Sequence, residues 1–406
     1  MLAAVALLAA SAARPPAASG QHAAGGVVPG IEVLLRDSLS LVRGKRVGLI
    51  TNQSGRDRNG RSDIDLLFHA PGVKLVALFA PEHGIRGAAE AGARIASDAD
   101  AATGVPIYSL YGAVHAPTPA MLAGIDVLLY DIQDAGARCY TYVWTMALSA
   151  AAAGRAHIPF VVLDRPDPIR GDRVEGGVLD TAYRSFVGQY PVAMRYGLTP
   201  GELLRYLVGT GQVKADVHVV PMAGWRRTMW YDETGIPWIT PSPNLRSMDA
   251  FALYPGPVFF EGTNLSEGRG TNAPFLNIGA GWLTDAGAVA RDLNALQLTG
   301  VRFDATIETV ASGQKWGGQK IPAIHISITD RDSVAPAVVS AYMLEMIRRR
   351  HPTDFKWNLP QIDELSGSDA LRNAVDAGNV SDWLIESGVQ SRAFSDRARP
   401  YWIYEP

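Results

Sequence analysis

Before residue 170 the chain three times runs a short apolar stretch straight into a cluster of charged and polar side chains: Phe79-Ala80-Pro81-Glu82-His83-Gly84, Leu129-Tyr130-Asp131-Ile132-Gln133-Asp134 and Leu163-Asp164-Arg165-Pro166-Asp167-Pro168. Near-continuous apolar runs are the mark of strands buried on both faces, as in a parallel sheet covered by helices. In an open sheet of that kind ligands bind beyond the carboxyl ends of the strands. Carboxylates repeated at those ends point to a catalytic cleft.

Further strand-like runs at Arg46–Ile50, Val105–Tyr108 and Val217–Val220 alternate with helix candidates at Asp63–Phe68, Pro119–Leu122, Tyr142–Ala153 and Pro200–Leu207. The last has Thr199 as N-cap, Pro200 at the first helical position and Glu202 closing a capping box. Alternation of this kind predicts an α/β, Rossmann-like parallel sheet domain. After about Asp249 the pattern changes: longer strands (Val301–Val310, Ile321–Thr329) and helices (Val334–Arg349, Asp382–Glu386) follow without strict alternation, which predicts a smaller α+β C-terminal domain. At 406 residues two domains are expected, since one core usually serves about 100 to 200 residues. The expected boundaries are 27 to 249 and 250 to 406, joined by the Pro-rich stretch Ile236–Pro243.

Residues 1 to 26 begin with an Ala- and Leu-rich run that ends in small residues, the pattern of a secretory leader with an Ala-x-Ala cleavage site. Export to the periplasm or beyond is expected, and the run is too short to span a bilayer. A net charge of -3 lacks the basic stripe that nucleic acid requires. The single cysteine, Cys139, cannot form an internal disulfide or a cysteine-built metal site.

Glu82 stands where partial desolvation raises a carboxyl toward the range of a general acid. His83 has no second histidine at ligand spacing, so neither a metal nor a cofactor is expected. Asp131 and Asp134, with Arg138 and Tyr140 shortly beyond, form a sugar-binding constellation of acceptors, forked donors and an aromatic face; the alternative is an internal salt bridge fixing the loop. Asp164, Arg165 and Asp167 repeat the pattern on a turn stiffened by two prolines. The segment Glu261-Gly262-Thr263-Asn264-Leu265-Ser266-Glu267-Gly268-Arg269-Gly270-Thr271 lets backbone approach a ligand closely while its polar side chains converge. Neither a phosphate-cradling Gly motif nor a Gly-x-Ser-x-Gly elbow is present.

These blocks, with Pro81-Glu82-His83-Gly84-Ile85-Arg86-Gly87 and Tyr130 to Tyr142, resemble in order those of the NamZ family of exo-β-N-acetylmuramidases, from about Val33 to the C-terminus. The resemblance implies a Rossmann-like domain, a smaller C-terminal domain and a cleft between them that removes β-linked N-acetylmuramic acid from the non-reducing end of peptidoglycan fragments. It places the catalytic glutamate at Glu82. The family's third block commonly reads Arg-Pro-Asn-Pro, whereas this chain has Asp167 in place of the Asn.

Glycoside hydrolysis usually needs an acid and a second group on the opposite face. Glu267, expected as the second catalytic residue, competes with Glu261, Asp131 and the substrate's own N-acetyl carbonyl. The lactyl carboxylate of muramic acid suits a guanidinium, with Arg86, Arg138 and Arg269 as candidates. His83, Asp131, Asp134, Tyr140, Asp164, Arg165, Asp167, Glu261 and Asn264 complete the expected substrate contacts, with peptidoglycan-derived saccharides as the partner. A non-catalytic wall-sugar binder and an esterase or amidase are the rival classes.

Overall fold

The computed structural model describes residues 26–82, 84–85 and 98–406. The leader up to residue 25 lies outside that range, as do His83 and Arg86. The first half builds β1 (Arg46–Thr51), β2 (Lys74–Ala80), β3 (Asp98–Ala99), β4 (Pro106–Ser109), β5 (Val127–Asp131), β6 (Phe160–Leu163), a small hairpin of β7 (Glu175–Val178) and β8 (Ala193–Arg195), and β9 (Val217–Val220). Seven of these form one sheet in the order β3-β4-β2-β1-β5-β6-β9. All neighbours but β3 and β4 pair in parallel. Leaving out the short antiparallel edge, this is the Rossmann order, with its switch point between β1 and β5.

Alternation along the strands sorts the core. Val47, Leu49, Val127, Leu129, Val161 and Leu163 face Ile31 and Leu34 of the helix Gly30–Asp37, with Ile64 and Leu67 of the helix Asp63–Phe68. Ile50, Leu128, Tyr130, Phe160 and Val162 face the helices Tyr142–Arg155 and Pro200–Gly209. The capping box forms as expected: Thr199 Oγ1 accepts from Glu202 N at 3.2 Å while Thr199 N donates to Glu202 Oε2 at 3.1 Å.

The second half forms a three-stranded antiparallel sheet, β10 (Asn277–Gly279), β12 (Lys320–Ile328) and β11 (Val301–Thr309) in that spatial order. The helix Ala286–Ala295 packs on it, and the helices Pro336–Arg350 and Val380–Ala398 follow. The last is far longer than the expected Asp382–Glu386. Its outer face carries exposed Ile385 and Val389, and Gly388 interrupts it, so its periodicity is weak in the sequence. The apolar cluster on the Tyr142–Arg155 side of the first sheet continues without a break through Phe251, Phe259, Leu283, Ile324, Leu344 and Phe394. The Pro-rich connection is packed too: Trp238 meets Phe251 edge to face at 4.9 Å, and Tyr142 Oη donates to Pro241 O at 2.7 Å. No described helix is long and apolar enough to cross a membrane.

Gly136 shows how tightly the strand ends are assembled. Its φ is +72°, and a Cβ there would lie 2.5 Å from Asp167 Oδ1. Gly136→Ala combines left-handed strain with overpacking, so a loss of about 2–4 kcal/mol is expected, read as a Tm lower by several degrees in thermal unfolding.

Candidate active site

β2 ends at Ala80, and Pro81, which cannot donate to a ladder, turns the chain out of the sheet. Glu82 follows, half-buried, with its Oε2 accepting from Thr141 Oγ1 at 2.7 Å. Thr141 precedes the helix Tyr142–Arg155, so the glutamate is oriented by the start of an element packed across the sheet.

The residues before that helix are set by Arg138. Its guanidinium is fully buried and donates to Val192 O at 3.0 Å, Gly177 O at 3.4 Å and Leu365 O at 2.9 Å, and burial pulls it down to about 10. Its own carbonyl accepts from Trp144 Nε1 at 2.7 Å. Expected as a ligand for the lactyl carboxylate, Arg138 instead joins the two halves of the chain and presents Cys139, Tyr140 and Thr141 to the surface of a cavity.

The opposite wall comes from the Gly-rich segment. Gly268, at φ +81°, brings the loop so close to the chain that a Cβ would lie 2.7 Å from Ala273 O. Arg269 donates to Glu261 Oε1 at 2.5 Å and its Nε lies 3.2 Å from Glu267 Oε1. Lys315 sits inside the loop, its Nζ donating to Phe260 O and Glu261 O at 3.0 Å, Leu265 O at 3.2 Å and Glu267 Oε2 at 3.1 Å. Trp316 Nε1 adds a bond to Asn264 O at 2.9 Å. Sequence reasoning missed Lys315 and Trp316; the signal was Gly313-Gln314-Lys315-Trp316-Gly317-Gly318, a second glycine-framed polar segment.

Glu82, Tyr140, Thr141, Glu261 and Arg269 line one cavity of about 280 Å³, closed by Tyr111, Phe186, Tyr254 and Phe275. The buried hydroxyl of Tyr140 has no hydrogen-bond partner of good geometry among the described residues, and its ring meets Tyr142 edge to face at 4.7 Å. Burial and the Glu267 carboxylate hold Glu261 above the ordinary glutamate range, against the pull of Arg269. Behind Tyr111 and Phe186 lies His115, stacked on Phe186 at 3.9 Å and kept below its usual range by burial. Cys139 also lines the cavity, but burial pushes its thiol up to about 12, the reverse of an activated nucleophile.

The structure thus brings Glu82, Tyr140, Glu261 and Arg269 together and leaves other expected contacts elsewhere. Glu267 is buried behind Arg269, held by that arginine and Lys315, and does not line the cavity. Asp131 is buried against the Arg165 guanidinium, and Arg165 also donates to Arg56 O at 2.9 Å. Asp134 accepts from Tyr196 Oη and, at 2.8 Å, from Gly136 N; burial raises it to about 6. Asp164 accepts from Thr199 Oγ1, Tyr404 Oη and Gly201 N at 2.6–2.8 Å, and burial lifts it to about 7. Asn264 clips the segment after the helix Pro336–Arg350, donating to Asp354 O and accepting from Lys356 N. Of these, Asp131 forms an internal salt bridge, whereas Asp134, Asp164 and Asn264 are held by hydrogen bonds within the fold. At the switch point itself the space is filled: Asp63 lies under Gly55 and accepts from Thr51 Oγ1 at 2.5 Å.

Residues 47–249 match the family described as "Exo-beta-N-acetylmuramidase NamZ, N-terminal" and residues 252–404 its C-terminal counterpart. The chain belongs to the NamZ family. It is 40% identical over 380 residues to the peptidoglycan beta-N-acetylmuramidase NamZ of Bacillus subtilis (strain 168), covering 93% of this chain and 91% of that protein. Two crystal structures of DUF1343 family proteins from Bacteroides fragilis NCTC 9343 match 93% of this chain and 99% of theirs. Their TM-scores are 0.87 and 0.73, at 35% and 28% identity. The α/β Rossmann-like first half and its smaller partner are therefore a family architecture.

Asp167 is fully buried; its Oδ1 accepts from Ile169 N at 3.1 Å, its Oδ2 has no partner among the described residues, and burial lifts it to about 8. Between its unfolded value near 3.8 and about 8 the folded chain keeps a proton that the unfolded chain has lost, so this residue lowers stability as pH rises through that window. Asp167→Asn removes the loss. Its advantage over the native chain is expected to be small near pH 4 and to grow to a few kcal/mol by pH 8, as read by urea unfolding at the two pH values.

Proposed function

We propose that the protein hydrolyses the glycosidic bond of β-linked N-acetylmuramic acid at the non-reducing end of peptidoglycan fragments, with Glu82 as general acid. The observation that carries this reading is that Glu82, from the end of β2, and Glu261, from the second half of the chain, line the same cavity of about 280 Å³. The name of the Bacillus subtilis relative supports the reaction class. A space of this size with one carboxyl on each wall suits a single terminal sugar.

Glu82, oriented by the Thr141 hydroxyl, gives its proton to the glycosidic oxygen as the bond to the anomeric carbon breaks and the electron pair passes to that oxygen. Glu261 is the second carboxylate. Held by Arg269, it faces the positive charge that grows on the sugar ring, and water supplies the hydroxyl that completes hydrolysis while its remaining proton returns to the Glu82 carboxylate. The hydroxyl of Tyr140 is the donor for the acetamido group, and Arg269, whose Glu267 partner is shared with Lys315, is the cation for the lactyl carboxylate. The apolar leader supports export, which puts the enzyme in the compartment of its polymer.

Glu82→Gln keeps the shape and loses the acidic proton. Turnover of muramic acid-terminated disaccharide is expected to fall by about 10²–10⁴ while the Tm stays within about a degree of native, product release being followed by mass; near-native turnover would assign the acid elsewhere. Glu261 acts as an anion and its carboxyl is held above 4.5, so kcat/KM rises with pH through that raised value and the acid limb stands above the ordinary glutamate range. In Glu261→Gln the remaining rate is expected to lose that limb in a pH profile from 4 to 8.

A further inference from the structure

A second and larger concavity, about 900 Å³, adjoins the first. The two share Arg269 as a common wall, and the run from Ser242 to Arg246 borders both: Ser242 and Leu245 line the small cavity, Asn244 and Arg246 the large one. The groove runs between the Gly-rich loop, through Gly270, Thr271 and Asn272, and the hairpin that follows β11, through Ser312 and Gln314. Gly270 permits this approach: at φ +77° a Cβ would lie 2.8 Å from Gln314 Cγ.

The lining is a set of amides and hydroxyls, which donate and accept in the way that sugar hydroxyl and acetamido groups require. One carboxylate is present, Glu308, and it is already held by Asn277 Nδ2. Ile307, 64% exposed on the strand edge, gives an apolar surface for a sugar ring. Arg246 is exposed at the rim; its Nε donates to Pro243 O at 2.6 Å, which fixes the stem of a guanidinium suited to carboxylates. Apart from the shared Arg269, nothing in the proposed reaction uses this groove.

We infer that the groove binds the leaving portion of the substrate, two or more further amino sugars of the glycan beyond the scissile bond, with Asn272 and Gln314 as hydrogen-bonding residues and Arg246 facing carboxylates carried on that portion. This rests on the muramidase reading for its direction: the terminal sugar fills the small cavity, and the chain it leaves runs past Arg269. The groove holds about three times the volume of the cavity, so a monosaccharide aglycone leaves most of it unfilled. Chain length beyond the disaccharide is therefore a determinant of rate.

The test compares a chromogenic aryl β-N-acetylmuramide, which has no sugar to place in the groove, with a muramic acid-terminated disaccharide and tetrasaccharide, using the full chain. The expected kcat/KM for the tetrasaccharide is about tenfold above that for the disaccharide, and in Asn272→Ala/Gln314→Ala the ratio of tetrasaccharide to aryl muramide falls by about tenfold. Calorimetric titration of Glu82→Gln gives a second readout: tetrasaccharide binds about tenfold tighter than disaccharide, and the added groove substitutions remove the difference. Equal rates and equal affinities for the two lengths overturn the inference, as does a groove variant that lowers every substrate alike. Failure of the native protein to cleave the aryl muramide would instead count against the catalytic reading, and the titration would still decide the groove.

Discussion

A buried guanidinium, together with the apolar core that runs through both halves, helps to set the relation between them. Among the described residues Arg138 has no carboxylate partner; its charge is met by carbonyls from β7, from the segment before β8 and from the helix Gln361–Ser366. A cation removed from water without such donors' counterparts costs several kcal/mol, so the three backbone segments are held wherever the guanidinium can reach them all. Cys139, Tyr140 and Thr141 follow it directly in sequence, and Thr141 fixes the Glu82 carboxylate. The placement of Glu82 thus descends in part from a residue that does not line the cavity.

The parallel strands, their alternation with helices and the capped helix after Thr199 were legible because they depend on local period and local turn chemistry. The clusters at the strand ends were legible as polar but not as to purpose. Asp131 and Asp164 have the composition of a ligand-binding edge; what assigns them to the interior is Arg165, 34 positions from Asp131, and Tyr404, 240 from Asp164. Partners so distant leave no trace in spacing. Lys315 is the converse case: an unremarkable lysine between glycines that becomes the centre of the 260–267 loop only because the β11–β12 hairpin folds onto it.

The site also departs from where a Rossmann order first suggests. The switch point between β1 and β5 is occupied by Asp63, Thr51 and the Arg165 to Asp131 pair, and the cavity opens instead beyond β2, one strand over. The second half of the chain supplies the opposing wall there. An N-terminal domain alone would offer Glu82 and Tyr140 on an open surface, without Glu261, Arg269 or the ring of Tyr254 to exclude water from them.

The uninterrupted apolar core has a mechanical meaning. The C-terminal tail returns to the first sheet, with Tyr404 on Asp164 and Ile403 N on Glu202, so the seam is closed at its far end as well as along its length. Hinged enzymes spend part of their binding energy drawing two lobes together around the substrate. Here a continuous apolar core and the returning tail tie the two lobes together, so a hinge between them would have to break that packing.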